Sequence, residues 1–292
     1  RHEIAGVILD GKEKSAFQRR MLALMYPLLP DDESPLAFAK RRRIPTMWVD
    51  KMVEDQIAPI RALAPDLILV GGFGIILKRP FLEIPRLGCV NVHSSLLPAH
   101  RGPNPFSAAI LAGDTESGVT FHVIDEGVDT GGIVRQFPFP LEPADTQFGV
   151  YGRACDVARE NVVAVLDEIE GSGLNSVPQD LSGGSYDKKL THADVEIRWD
   201  MSAAHIDRLV RASTPTLYPW FMCSGRKVRV GRVKFDPAPV DADPGTLLAR
   251  KPVPVIATGC GRVMLEMVFV LSPIPVLWPE PWRHIRPGMR VG

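Results

Sequence analysis

Cysteine is scarce in this chain of 292 residues, which holds four: Cys89, Cys155, Cys223 and Cys260. No two of them form a C-x-x-C pair, so the usual zinc and dithiol signatures are missing. Free structural thiols in a reducing compartment are expected instead. Long apolar runs are missing too; none reaches the ~20 residues that span a bilayer. No signal peptide opens the sequence. A cytoplasmic location with no membrane partner is therefore expected. The chain opens at Arg1 without a Met, and an N-terminal segment is expected to have been lost. There is no G-x-x-x-x-G-K-[ST] loop and no G-x-G-x-x-G turn, which argues against P-loop nucleotide hydrolysis and dinucleotide binding. No G-x-S-x-G elbow marks a serine hydrolase. Charge of one sign is not in excess, with 34 Lys and Arg against 34 Asp and Glu and a pI near 7.2. That balance argues against a protein that coats nucleic acid and leaves room for a local basic patch.

What is present suffices for two cores, with 45% hydrophobic residues. Short apolar strands are expected at Ile4–Leu9, Pro45–Val49, Asp66–Val70, Val90–His93, Val119–Ile124 and Ile133–Pro138. Helices are expected between them at Ser34–Lys40, Asp55–Leu63 and Pro105–Ala112, with a long amphipathic one at Thr146–Ile169. The segment around Phe17, Met21, Leu24 and Met25 has helical spacing until prolines break it. The Asp66–Val70 run reads as a strand buried on both faces. Alternating strands and helices give an α/β fold with a mostly parallel sheet.

Composition changes at Gly171-Ser172-Gly173 and again at Ser182-Gly183-Gly184-Ser185, which read as a linker. The expected domains are therefore 1–182 and 183–292. The second opens with a helix at Ser202–Ala212, capped by Ser202. Short β segments divided by Gly and Pro follow, as in a small barrel. Pro273–Gly292 reads as irregular. From Ser185 onward, 16 Lys and Arg face 10 Asp and Glu, a balance of +6 against −6 for the rest. Arg226, Lys227, Arg229, Arg232 and Lys234 gather on one hairpin there. They form either a solvated face or a site for an anionic acceptor.

The densest chemistry lies between Gly88 and Gly132. Asn91 and His93 stand two apart at a strand end, so they share a side. Asp125 and Asp129 follow the next strand, and functional groups collect at such strand ends. An amide, an imidazole and a carboxylate without a paired nucleophile suit transfer of an acyl group to an external amine. Asn91 would then donate to the oxyanion, and His93 would stabilise charge and carry the proton. Asp129 would orient His93, raise its pKa and help collect the proton. Each residue also has a structural alternative, as turn former, buried imidazole or loop carboxylate. Ser94 or Ser95 beside His93 could suggest a hydrolase, though adjacency in sequence is not triad geometry. His93, His100, His122 and Asp129 match no common zinc spacing, so no metal is expected.

Asn91-Val92-His93-Ser94-Ser95-Leu96-Leu97-Pro98, Gly118-Val119-Thr120-Phe121-His122 and Asp125-Glu126-Gly127-Val128-Asp129-Thr130-Gly131 together resemble the tetrahydrofolate-dependent formyltransferases, in order and spacing as well as residue type. The resemblance implies a Rossmann-like N-terminal domain in which Asn91, His93 and Asp129 are catalytic. The implied donor is 10-formyltetrahydrofolate, with no metal. By the same resemblance Ile75, Ile76, Leu77, Ser95, Leu96, Val123, Ile124 and Asp125 line the folate site, the glycine turn after Val70 meeting the pterin through backbone groups. Tyr186–Leu190, Ile197-Arg198-Trp199, Ala203–Arg211, Pro215 and Pro219-Trp220 look like the C-terminal domain of methionyl-tRNA formyltransferases, which implies an OB-like fold. Arg101, Gly102, Arg226, Lys227 and Arg229 would then meet the amine substrate. Initiator methionyl-tRNA is the first candidate acceptor, and an amino-sugar nucleotide or modified amino acid the second. A hydrolase giving the formyl group to water and a folate-binding paralogue without activity are further alternatives. Two departures stand out. The family's first strand, before Ile4–Leu9, is missing. The stretch from Gly11 to Pro35 carries Lys12, Lys14, Arg19 and Arg20 but not the family's basic loop, and Arg101-Gly102-Pro103-Asn104-Pro105-Phe106 differs from the usual tRNA-enzyme version.

Overall fold

The computed structural model describes residues 2–11, 35–270 and 285–291. The helical spacing around Phe17 to Met25 and most of the Pro-rich tail lie outside the described residues.

The described elements follow the expected alternation. Strand β1 (Val7–Asp10) and helix α1 (Pro35–Arg41) lead to β2 (Thr46–Val49), α2 (Glu54–Ala62), β3 (Leu67–Val70) and a short α3 (Arg79–Leu82). Next come β4 (Gly88–His93), α4 (Pro105–Ala112), β5 (Glu116–Val123), β6 (Ile133–Pro140) and the long α5 (Gln147–Ser172). Helix α4 starts on a proline, whose missing N–H is no loss there, and stops at Gly113, which takes a left-handed φ of 82°.

β1 and β2 form a parallel pair of their own, and a four-stranded sheet has the order β3-β4-β5-β6. In that sheet β3 runs parallel to β4, and β4 antiparallel to β5. β3 is not buried on both faces as expected, since Leu69 is 41% exposed. It ends the row of strands, so among the described residues one side of it has no neighbour in its sheet.

The chain divides into two compact units. The first comprises Arg1–Pro103, Gly118–Phe137 and Val157–Tyr186. One of its cores packs Val49, Ile57, Ile60, Ile68, Leu77, Phe81 and Cys89, drawn from β2, α2, β3, α3 and β4 and the turn before α3. The second comprises Asn104–Ser117, Pro138–Asp156 and Asp187–Gly292.

The second unit holds α6 (Ala203–Ser213) and β7 (Trp220–Cys223), β8 (Arg226–Asp236), β9 (Leu247–Ala249), β10 (Val255–Ala257) and β11 (Arg262–Val270). These strands make one antiparallel sheet in the order β7-β8-β11-β10-β9. Ser202 caps α6 by accepting from the His205 N–H at 3.2 Å. The helix lays Ile206, Leu209 and Val210 on a core with Phe221, Val228, Val230, Leu247, Ile256 and Leu265. The described end of the Pro-rich tail is packed: Ile285 and Val291 enter this core, and Val291 donates to the Gly245 carbonyl at 2.9 Å.

Candidate active site

Strand pairing brings the candidate residues together. In the antiparallel register of β4 and β5, Asn91 lies opposite His122 and His93 opposite Thr120. Alternation puts Asn91 and His93 on one side of β4. The loop between β5 and β6 then returns Asp129 to the same place. All of these residues belong to the first unit.

Each polar group has a defined partner. The His122 Nδ1–H donates to the Val123 carbonyl at 2.8 Å, which leaves the Nε2 lone pair to accept from the Asn91 amide at 3.1 Å. The His93 Nε2–H donates to the His100 carbonyl at 2.9 Å. That bond fixes the tautomer and turns Nδ1 toward Asp129, whose Oδ1 is 3.7 Å away. The same oxygen lies 3.6 Å from His122 Nε2. Both separations are electrostatic contacts rather than direct hydrogen bonds. Asp129 Oδ2 accepts the Gly102 N–H at 2.9 Å. The rings of His93 and His122 meet edge to face, centroids 6.1 Å apart.

Burial sets the charges. It holds the His93 imidazole below its ordinary value, and the attraction of Asp129 does not reverse this. The sequence expectation that the carboxylate raises this pKa has the right partner and the wrong net sign, because desolvation of a nearly buried ring outweighs a charge 3.7 Å off. For Asp129 burial also opposes the charged form. The nearby His122 and His93 rings and the hydrogen bond from the Gly102 N–H outweigh it, so the carboxyl lies below its usual range. The resting site therefore pairs a neutral imidazole with a carboxylate.

The loop geometry is demanding. Asp129 and His100 both take left-handed backbone angles, with φ of 53° and 56°. Asp and His tolerate this better than most residues. Gly131 has no alternative: a Cβ there would sit 1.9 Å from the Val123 carbonyl oxygen.

The expected folate-lining residues differ in exposure and in what their side chains hold. Leu77 and Ser95 are buried, with Leu77 in the core and the Ser95 hydroxyl donating to the Ala99 carbonyl at 2.7 Å. Their side chains hold the structure, which leaves main-chain groups for a ligand. Ile75 and Ile124 pack partly on the same core as Leu77, whereas Ile76 is exposed. Leu96 and Val123 are half-buried, and Leu96 lies under Gly118. The Asp125 carboxylate is engaged within its own loop, accepting from the Gly127 N–H at 3.0 Å and the Thr130 hydroxyl at 2.7 Å.

Among the expected substrate residues, Gly102, whose φ is 116°, donates its N–H to Asp129. Arg101 donates from Nε to the Ser185 carbonyl at 3.2 Å. Arg226, Lys227 and Arg229 belong to the second unit, where Lys227 Nζ sits 3.5 Å from the centre of the Trp220 ring. Arg232 and Lys234 share the single carboxylate of Glu266 at 3.0 and 2.9 Å, which offsets one of their two charges.

Sequence reasoning named His122 only within a motif and as a rejected metal ligand. Its pairing with Asn91 depends on strand register, which no local pattern reveals. Gln136 was missed too; its amide donates to the Leu97 carbonyl at 2.9 Å and to Thr120 Oγ1 at 3.0 Å. The grouping of ligating atoms among the described residues is His2, Asp167 and Glu170, outside the expected catalytic set. The four thiols are free, and burial pushes that of Cys89 up to about 12, away from nucleophilic use. No helix among the described residues is long and apolar enough to cross a membrane.

Comparison with known proteins extends this picture. Residues 34–166 match the family profile described as Formyl transferase, and residues 189–269 match that of Formyl transferase, C-terminal domain. A methionyl-tRNA formyltransferase of Aromatoleum aromaticum is 35% identical over 220 residues, covering 75% of this chain and 69% of that protein. One from Frankia alni is 33% identical over 272 residues, covering 92% and 80%. Among solved structures, HypX from Aquifex aeolicus in complex with tetrahydrofolic acid aligns with a TM-score of 0.58 at 19% identity. That alignment covers 90% of this chain, which spans only 44% of HypX. The N-formyltransferase from Helicobacter canadensis, in complex with folinic acid and dTDP-3-aminofucose, aligns with a TM-score of 0.60 at 19% identity, covering 90% and 99%. Likeness at this level of identity speaks for the fold.

Proposed function

The chain belongs to the formyl transferase family, and on that premise we propose that it moves a formyl group from 10-formyltetrahydrofolate to the amine of methionyl-tRNA. The observation that carries the chemistry is the gathering of Asn91, His93 and Asp129 around one point, with His93 Nδ1 bare and directed at the carboxylate. The acceptor rests on the two methionyl-tRNA formyltransferases that align over most of their length at 35% and 33% identity.

The amine nitrogen attacks the formyl carbon, and negative charge builds on the formyl oxygen. The Asn91 amide has two hydrogens; one meets His122, and the other can meet that oxygen. The attacking nitrogen becomes cationic and must lose a proton. His93 Nδ1 takes it, because Nε2 is committed to the His100 carbonyl. Asp129 stabilises the imidazolium formed in this way. The bond from carbon to N10 then breaks, the proton passes to N10, and tetrahydrofolate leaves as a neutral amine. Depressed basicity suits this cycle, since His93 must begin neutral to accept the proton.

The second reading is a small-molecule amine acceptor. It draws on the stretch from Gly11 to Pro35, which lacks the basic loop that the resemblance to tRNA formyltransferases would lead one to expect. The experiment offers 10-formyltetrahydrofolate with initiator methionyl-tRNA, with an amino-sugar nucleotide, or with no amine, and follows gain of one formyl group by mass. Formylated methionyl-tRNA is expected. Turnover only on the sugar amine, or only into water, would replace the acceptor while keeping the donor.

A further inference from the structure

The stretch that reads as a linker in the sequence is bonded at both ends to the loops that shape the site. After α5, Val177 pairs with Ile133 through two backbone hydrogen bonds of 2.8 Å. Two residues on, the Gln179 side chain donates from Nε2 to the Asp129 carbonyl at 3.0 Å and to the Gly131 carbonyl at 2.7 Å. Asp180 then caps a tight turn over Leu181–Gly183, accepting from the Ser182 N–H at 3.0 Å. Beyond the turn, Ser185 Oγ accepts the His100 N–H at 2.8 Å, and its carbonyl accepts the Arg101 N–H at 3.1 Å. All these residues lie in the first unit.

The two ends act on matched features. Asp129 and His100 are left-handed non-glycine residues, and both contact His93: Asp129 faces Nδ1 and the His100 carbonyl holds Nε2. Left-handed backbone at such residues persists only where neighbours hold it. Gln179 holds the peptide following Asp129, and Ser185 holds the N–H of His100. We propose that residues 176–186 form a clasp that positions the catalytic groups, with Gln179 and Ser185 as its positioning residues. This rests on the reading of His93 and Asp129 as the reacting pair. The clasp touches neither substrate in this role; it sets where Asp129 and His93 stand when substrates arrive. A displacement of about 1 Å at a reacting group can lower turnover by about 100-fold.

The test uses the full chain with 10-formyltetrahydrofolate and initiator methionyl-tRNA. Gln179→Leu keeps the size of the side chain and removes its donor, and Ser185→Ala removes the acceptor at the other end. Asp129→Asn is measured beside them, with kcat, KM for each substrate and melting temperature for every variant. The expected result for Gln179→Leu is a fall in kcat of about 10- to 100-fold, with KM values and melting near the parent's. Ser185→Ala is expected to show the same pattern at smaller size, and it carries the test if Gln179→Leu does not fold. Parental kcat in a folded Gln179→Leu or Ser185→Ala protein, or a loss that only tracks melting, overturns the clasp. Parental kcat in Asp129→Asn instead overturns the reading of the site beneath it. An inactive Asp129→Asn beside an active Gln179→Leu removes the clasp alone.

Discussion

Asn91 on β4 and His122 on β5 face one another across the sheet, with the amide nitrogen 3.1 Å from the imidazole Nε2. His122 is itself locked by its bond to the Val123 carbonyl, so it acts as a fixed acceptor that aims the amide. Replacing His122 by Phe keeps a ring in the buried site and removes that acceptor. Turnover should fall by about 10- to 100-fold, while Asn91→Ala should cost about 100- to 1,000-fold in kcat. Because the two act through one amide, the double variant should be little worse than Asn91→Ala alone. Steady-state kinetics on the three proteins checks this; multiplicative losses would separate the two residues.

Stability should respond to pH through His93, whose burial holds it below the ordinary 6.5, with His122 acting in the same direction and Asp129 and the hydrogen bond to the His100 carbonyl against. Above 6.5 neither the folded nor the unfolded chain protonates this ring. Below it the unfolded chain binds a proton that the folded chain resists. Stability therefore falls as pH falls, from about 6.5 down to the folded-state value, at up to about 1.4 kcal/mol per pH unit. Asp129, held below 3.8, contributes stability that is lost only at lower pH. The His93→Gln variant should lose less stability than the parent between pH 7.5 and 5.5 in denaturant melts. Equal losses would mean that the ring is not buried neutral.

A methyl group at Gly131 has nowhere to go, because the Val123 carbonyl oxygen would lie 1.9 Å from it. The obstruction is backbone, so the loop bearing Asp129 must move. Gly131→Ala should cost about 1–3 kcal/mol and remove most activity. At Gly127 the nearest atom is the Thr130 hydroxyl, a side-chain end that can rotate, so Gly127→Ala should be milder. Thermal melts and turnover of both variants decide it, and equal effects would contradict the ranking.

The basic hairpin separates into two groups. Arg232 and Lys234 already share Glu266, whereas Lys227 is exposed and rests its ammonium on the Trp220 ring. If methionyl-tRNA is the acceptor, Lys227→Ala and Arg229→Ala should each lower the slope of log affinity against log salt by about 1. Arg232→Ala should lower it less. Filter binding of initiator tRNA over a salt series gives the answer. Slopes unchanged by all three would direct attention to the small-amine acceptor.

Much of this was legible in the sequence where the signal is local. The α4 boundaries were written by Pro105 and Gly113, the α6 start by Ser202, and the shared side of Asn91 and His93 by alternation along β4. Signals that depend on register or on distant chain were not. His122 meets Asn91 only because β4 and β5 pair one way, and Gln179 reaches Asp129 across 50 positions. The small polar residues of 176–186 look like any linker, since their hydrogen bonds go to carbonyls and N–H groups that leave no mark in the sequence. The sign of the His93 shift was likewise hidden, because a neighbouring carboxylate can be guessed from a motif and the depth of burial cannot.

The most direct test of the account is single-turnover formyl transfer from 10-formyltetrahydrofolate to initiator methionyl-tRNA by the parent and by Asp129→Asn, read as mass gain on the aminoacyl end. The parent should formylate the aminoacyl end, and the variant should do so at a rate lower by about 100-fold or more, with folding and folate binding retained. Equal rates in the two proteins would contradict it.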